Sequence, residues 1–192
     1  EGRESPGASG DAEREPQTEA AERAAANQGD AVRFDSLSPL GDEQLTPVVA
    51  ALRQCVYDLS ALHAAIYVAH RNVKGPGAES FHEFFGKAVA KVVFGHVDTL
   101  DERITQLGEA SDATVENVAA RTTLAKYDAA IVDGMKHCRA LYEMFRAANG
   151  TLHSARDIAD DNGDQNTFDD LVQASKDLEK YGTRIGNHLV SG

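Results

Sequence analysis

Tryptophan is absent from this chain of 192 residues, and cysteine occurs only twice. Two cysteines are too few to staple a domain of this size, so its stability has to come from a packed core. Cys55 and Cys138 both fall within apolar helical patterns and read as reduced, buried side chains of a cytoplasmic protein. Long apolar runs are missing too. None approaches the roughly 18 residues that cross a bilayer, so neither a helical span nor a membrane partner is expected, and no signal-peptide apolar segment is visible. Positive charge is scarce: 19 Lys and Arg stand against 31 Asp and Glu, a net charge of -12. Such a surface repels nucleic-acid phosphates, so DNA binding is not expected. There is no internal repeat and no run that reads as a strand.

What is present is organised as an acidic arm and a helical domain. Residues 1–45 are rich in Glu, Ala, Gly and Ser, with hardly a large apolar residue before Phe34, and read as a disordered arm. From Glu1 to Thr46 there are eleven acidic and four basic residues, a net of -7, and no lysine. Residues 46–192 form the domain. Thr46-Pro47 reads as a helix N-cap with proline at the first helical position. From there Val48, Leu52, Cys55, Val56, Leu59, Leu62, Ile66 and Val73 recur at helical spacing until Gly75-Pro76-Gly77 breaks the run. A second helix is predicted from about Glu79 to Leu107, with Gly108 as its stop. Residues 109–125 read as a connection holding a short helix near Thr114–Arg121. A third helix is predicted from about Leu124 to Asp160, with Asn149-Gly150 as a kink or break. After a turn at Asn162-Gly163-Asp164, Thr167 reads as the cap of a fourth helix whose core face carries Leu171, Leu178, Ile185 and Leu189.

The stretch from His70 to Gly108 carries the chemistry. Two histidines, His70 and His82, flank the Gly-Pro turn, and Asp98 and Glu102 follow four residues apart, on one face of a helix. Imidazole nitrogens and carboxylate oxygens together suit a transition metal such as iron. Each of these residues taken alone also has a plain structural reading, as a hydrogen-bonded histidine or as a surface ion pair with Arg103. His82 and Asp98 lie sixteen residues apart, about 24 Å along one helix, whereas ligands of one ion sit about 2 Å from it. One subunit therefore cannot bring both halves to a single metal. A second copy related by a two-fold axis can.

The same segment resembles a known family. His70-Arg71-Asn72-Val73-Lys74-Gly75-Pro76 is similar to the HWNVKGP signature of Dps proteins, the small ferritins of stressed bacteria and archaea. Phe81-His82 with Phe85, Asp98 through Glu102-Arg103-Ile104 to Leu107-Gly108, Gly163-Asp164 with Thr167, and Leu178-Glu179-Lys180 resemble that family's further blocks, in order, across residues 47 to 190. The resemblance implies an all-α, four-helix ferritin-like bundle with a short helix in the crossover connection, assembled as a hollow homododecamer. It implies a ferroxidase that oxidises Fe²⁺, with hydrogen peroxide as oxidant, and stores ferric iron against oxidative stress. His70 and His82 would come from one subunit and Asp98 and Glu102 from its partner, and the acids Asp160 and Asp169 would line a three-fold pore, with Gln165 where an acid is common.

Three positions and one interval depart from that pattern. Arg71 stands where the family has tryptophan, Thr183 stands at a second tryptophan position, and Gly86 stands where an acid helps hold a second iron. The His82–Asp98 interval is also one residue longer than usual, which rotates a regular helix by about 100°. Either a π-bulge near Gly86 or Gly95 absorbs it, or Asp98 leaves the register and Asp101 substitutes. His63 and His96 read as structural. Two alternatives stay open at this stage: a degenerate cage with weak or no ferroxidase activity, and a DNA-compacting architectural protein.

Overall fold

The computed structural model describes residues 33–189, so the expectation for residues 1–32 of the arm lies outside the described residues. Helix α1 spans Asp42–Asn72, α2 Ala78–Glu83, the π-helical segment π1 Phe84–Ala90, and α3 Lys91–Gln106. They are followed by α4 at Val115–Arg121, α5 at Gly134–Asp161 and α6 at Gln165–Asn187. Because α2, π1 and α3 run on without a gap, they act as one long helix. The architecture is therefore the all-α four-helix bundle read from the sequence, with α4 in its long crossover. Among the described residues the only extended pairings are two isolated bridges, Arg33 with Glu109 and Lys74 with Asp133.

Each long helix turns one apolar stripe inward. From α1 these are Leu52, Cys55, Val56, Leu59, Leu62 and Ile66; from α5 Cys138, Leu141, Phe145 and Leu152; from α6 Leu171, Leu178 and Ile185. Phe85, Val89, Val93, Leu100 and Ile104 complete the core from the second long helix. Both cysteines are free and buried.

The helix ends differ from the sequence reading in three places. Helix α1 begins at Asp42, four residues before Thr46. Gln44 Oε1 accepts from Gly41 N at 3.2 Å to close the start, and Pro47 lies inside the helix, past its first turn, where it removes one intrahelical hydrogen bond. Helix α5 begins at Gly134, not Leu124: Asp133 caps it by accepting from Lys136 N at 2.9 Å. Residues 122–133 run as a strap, tied by Asn72 Nδ2 to Ala129 O (2.9 Å) and by Lys74 N to Val132 O (2.8 Å). Ile131 therefore belongs to no helix, and Met135 is exposed. The cap of α6 is Asp164, whose carboxylate accepts from Thr167 N and Thr167 Oγ1, while Thr167 is buried one turn in. Asn149-Gly150 does not break α5. A helical glycine costs only about 1 kcal/mol, and Asn149 is held by Ser175 of α6.

One acid sits where the apolar stripe of α1 should be uninterrupted. Asp58 is fully buried. It accepts from Gln54 Nε2 (3.2 Å), Thr122 Oγ1 (2.9 Å), Thr123 N (2.7 Å), Thr123 Oγ1 (2.8 Å) and Thr151 Oγ1 (2.8 Å). These donors belong to α1, the strap and α5, so the carboxylate locks the crossover onto the bundle. A mixed ion network extends the lock: Arg33 and Arg53 both meet the buried Glu109, Arg53 and Arg121 both meet Asp112, and Tyr57 donates to Asp112 at 2.7 Å.

Asp58→Ala orphans these donors and should lower unfolding stability by roughly 3 kcal/mol, read from urea denaturation. A pH dependence follows from His63 and His137, whose pKa values burial pushes below the ordinary 6.5. The unfolded chain binds protons that the folded chain refuses, so stability should be complete above about pH 7 and fall as the pH drops towards 5. Melting temperatures across that window, above the main carboxylate range, check it.

Candidate metal centre

The turn after α1 brings the two histidines together. Gly75 and Gly77 take φ values of 89° and 75°, a left-handed conformation that favours glycine, and Pro76 stiffens the link between them. The chain doubles back, and the His70 and His82 rings stack with centroids 3.8 Å apart at 27°. Each ring bonds the other residue's backbone: His70 Nδ1 to His82 O at 2.7 Å, and His82 Nδ1 to His70 O at 2.7 Å. His70 O lies in the last turn of α1, and the N–H four residues on, from Lys74, is spent on Val132 O. His82 thus supplies a donor that the helix end lacks. A carbonyl only accepts, so each Nδ1 carries the proton, and in the neutral ring Nε2 is left with its lone pair. Neither Nε2 has a partner among the described residues. This is the arrangement that readies a histidine as a ligand, with the second nitrogen fixing tautomer and ring orientation.

Gly86 is part of the same arrangement. An ideal Cβ at this position would lie 2.5 Å from Cε1 and Nδ1 of His70. The imidazole occupies the space of the missing side chain. The glycine that reads in the sequence as a lost acid is, in three dimensions, the seat of the His70 ring.

The extra residue between His82 and Asp98 is absorbed as the first of the two alternatives predicts. Phe84–Ala90 is π-helical, and a π-turn takes one residue more than an α-turn. Phe85, Val89 and Ala90 are all buried within it, and the buried stripe resumes at Val93, Leu100 and Ile104. Asp98 and Glu102 stand one helical turn apart on α3, exposed and without a side-chain partner among the described residues. Asp101 Oδ2 accepts from Ser111 Oγ at 2.7 Å, while its Oδ1 is buried without a partner among the described residues. Among the described residues no three His, Cys, Asp or Glu side chains cluster tightly enough to hold a metal. One chain thus carries a histidine half and a carboxylate half, kept apart by the length of the helix.

The remaining candidates take ordinary places. Arg71 lies over the Tyr67 ring at 5.2 Å. His96 meets Asp177 at 3.0 Å, and His63 packs between Tyr67 and Phe94. Asp160 and Asp169 are exposed on either side of the α5–α6 turn, as is Gln165, and Thr183 is exposed on α6. Arg103 does not pair with Glu102. It bonds Asp164 (2.8 Å) and Thr167 (2.9 Å), tying α3 to the cap of α6. The role of Asp58 was missed, although an acid three residues after Cys55 and four before Leu62 signals a buried polar anchor.

Comparisons with known proteins show the family and the fold. A family model described as the ferritin-like domain matches residues 49–191, and the chain belongs to that family. Within it the chain is a Dps protein. It is 30% identical over 133 residues to the DNA protection during starvation protein of Agrobacterium fabrum, covering 69% of this chain and 82% of that one. Its fold superposes on the archaeal Dps homologue of Halobacterium salinarum with a TM-score of 0.78 at 22% identity, over 85% of this chain and 90% of that chain. It superposes on a Vibrio cholerae Dps, described as a member of the ferritin-like diiron-carboxylate superfamily, with a TM-score of 0.75 at 18% identity, over 84% of this chain and all of that one.

Gly86→Ala should expel the His70 ring and break its bond to His82 O. Loss of such an orienting contact costs about 10- to 100-fold in metal affinity, measurable by titration with Zn²⁺ as a redox-silent probe. The imidazole ¹⁵N spectrum should change at His70 and stay unchanged at His96.

Proposed function

We propose that this chain binds and oxidises Fe²⁺ at a centre shared by two copies, with His70 and His82 from one and Asp98 and Glu102 from the other. The observation that carries the reading is the reciprocal imidazole–carbonyl pair, which leaves two Nε2 lone pairs without a partner among the described residues. The separation of the carboxylate half along the same helix supports a two-fold assembly. So does the exposed face between the halves, where Phe94 is 53% and Tyr67 36% accessible. A second copy covers such a face and completes two sites at once.

Neutral imidazoles and two anionic carboxylates give Fe²⁺ a charge-balanced nitrogen and oxygen shell. Hydrogen peroxide then takes one electron from each of two ferrous ions, leaving two ferric ions and two hydroxides, so iron and peroxide disappear together. The ferric product is stored in the interior of a homododecamer, which Fe²⁺ enters through pores where the Asp160 and Asp169 carboxylates attract cations. No described helix is long and apolar enough to cross a membrane, and the proposed setting is the cytoplasm under oxidative stress. Gly86 favours a weakened variant of this centre, because the His70 ring fills the space from which an acid would reach a second iron.

The shared site has a decisive test. His70→Ala and Asp98→Ala should each abolish peroxide-driven iron oxidation, followed optically. Random co-assembly makes half the dimers mixed, each with one intact site of two, so the mixture should regain about a quarter of wild-type activity. No recovery would place both halves in a single subunit or outside the site. For nucleic acid, the charge of -12 leads to no retention of linear duplex in a low-salt gel shift; a retained band would favour the DNA-compacting reading.

A further inference from the structure

The seat at Gly86 creates a problem of electron count, which rests on the iron-oxidising reading above. Peroxide accepts two electrons and Fe²⁺ supplies one. Where a single iron is well held, one electron reaches peroxide and yields ferric iron, hydroxide and hydroxyl radical. A resident donor has to supply the second electron, or the radical escapes.

The chain has no tryptophan and five tyrosines. Three tyrosines have a cation against the ring: Tyr57 under Arg121, Tyr67 under Arg71, and Tyr181 under both Lys180 and Arg184. A nearby cation opposes loss of an electron. Tyr57 does bond the Asp112 carboxylate, but that carboxylate also pairs with Arg53 and Arg121. Tyr142 has no hydroxyl partner among the described residues. Tyr127 differs, because its hydroxyl is hydrogen-bonded to Nδ1 of His137 and the two rings lie parallel within 7°. His137 is fully buried, and its Nε2 has no partner. Burial lowers its pKa, so it is a neutral base at physiological pH. The Phe85 ring is 6.3 Å from the His137 ring and 5.8 Å from Phe81. Phe85 precedes Gly86, on which His70 sits, and Phe81 precedes His82. One layer of aromatic rings separates the Tyr127–His137 pair from the histidine half of the centre.

We propose that Tyr127 and His137 act together as a proton-coupled one-electron donor to the oxidant formed at that half-site. Hydroxyl radical takes an electron from Tyr127 and becomes hydroxide. The phenol proton moves to His137 Nδ1, leaving a neutral phenoxyl radical beside an imidazolium. The next Fe²⁺ to bind returns an electron, the proton goes back to the phenol oxygen, and a second ferric ion is formed. The sum is two Fe²⁺ and one peroxide giving two Fe³⁺ and two hydroxides, with Tyr127 and His137 unchanged.

The test mixes the full-length assembled protein, loaded with Fe²⁺, with hydrogen peroxide. Optical iron oxidation, freeze-quench paramagnetic resonance and spin-trapped hydroxyl radical are followed in wild type, Tyr127→Phe and, as a control, Tyr57→Phe. The expected result is a tyrosyl radical in wild type and Tyr57→Phe that is absent in Tyr127→Phe, with a several-fold rise in trapped radical and little change in the first phase of iron oxidation. Fluorotyrosine placed at position 127 should add a fluorine splitting to the radical signal, which identifies the residue without removing its hydroxyl. An iron-free arm oxidises the protein with azide radical, and the Tyr127 radical should be lost or much slower to form in His137→Phe. Normal iron oxidation with the same radical and the same trapped yield in Tyr127→Phe overturns the relay and leaves the iron centre standing. Absent iron oxidation, with a His137-dependent Tyr127 radical in the azide arm, sustains the donor and sinks the iron-oxidising reading instead.

Discussion

A single buried carboxylate holds the crossover to the bundle. Asp58 receives five hydrogen bonds from α1, from the strap at Thr122 and Thr123, and from Thr151 of α5. A bundle with one long connection has to bring that connection back along its own side, and an apolar strap would be free to slide. Directional bonds to a fixed acid remove that freedom, since a buried anion tolerates little change in its donors. With the strap in place, Lys74 reaches Val132 and Asn72 reaches Ala129, and the turn that carries the histidines is braced from outside.

The histidine pair depends on that bracing. Lys74 spends its amide on the strap, so the His70 carbonyl is available to His82, and the exchange of bonds between the two residues follows. The π-helical segment belongs to the same mechanism. It takes up a residue that would otherwise rotate everything downstream by about 100°, and it contains Gly86, whose bare Cα face receives the His70 ring. The interval that looks one residue too long and the acid that looks lost are two views of one local solution. It favours a precise histidine site over a second carboxylate.

The helical stripes of α1 and α6, the Gly-Pro turn, the short crossover helix and the histidine and carboxylate pairs were all legible in the residues. They depend on spacing along the chain, and spacing is a local property. The start of α5 was not legible, because Leu124 to Asp133 has acceptable helical periodicity, and the bonds that tie it to α1 and the turn beyond come from Asn72 and Lys74, more than fifty residues away. Thr167 has the chemistry of a cap, yet Asp164 takes the role because its carboxylate also meets Arg103 from α3. The Tyr127–His137 bond joins residues that the sequence pattern assigned to one continuous helix.

The chain alone marked His70, His82, Asp98 and Glu102 as the candidate residues and set that one copy cannot unite them, since helix rise fixes the distance between His82 and Asp98 whatever the packing. Only the tertiary structure decided that the imidazoles clasp each other's backbone, that Gly86 is a seat as well as a loss, and that Asp58 is an anchor. Those outcomes depend on which groups meet across the bundle, and contact between distant segments is settled by packing rather than by local spacing.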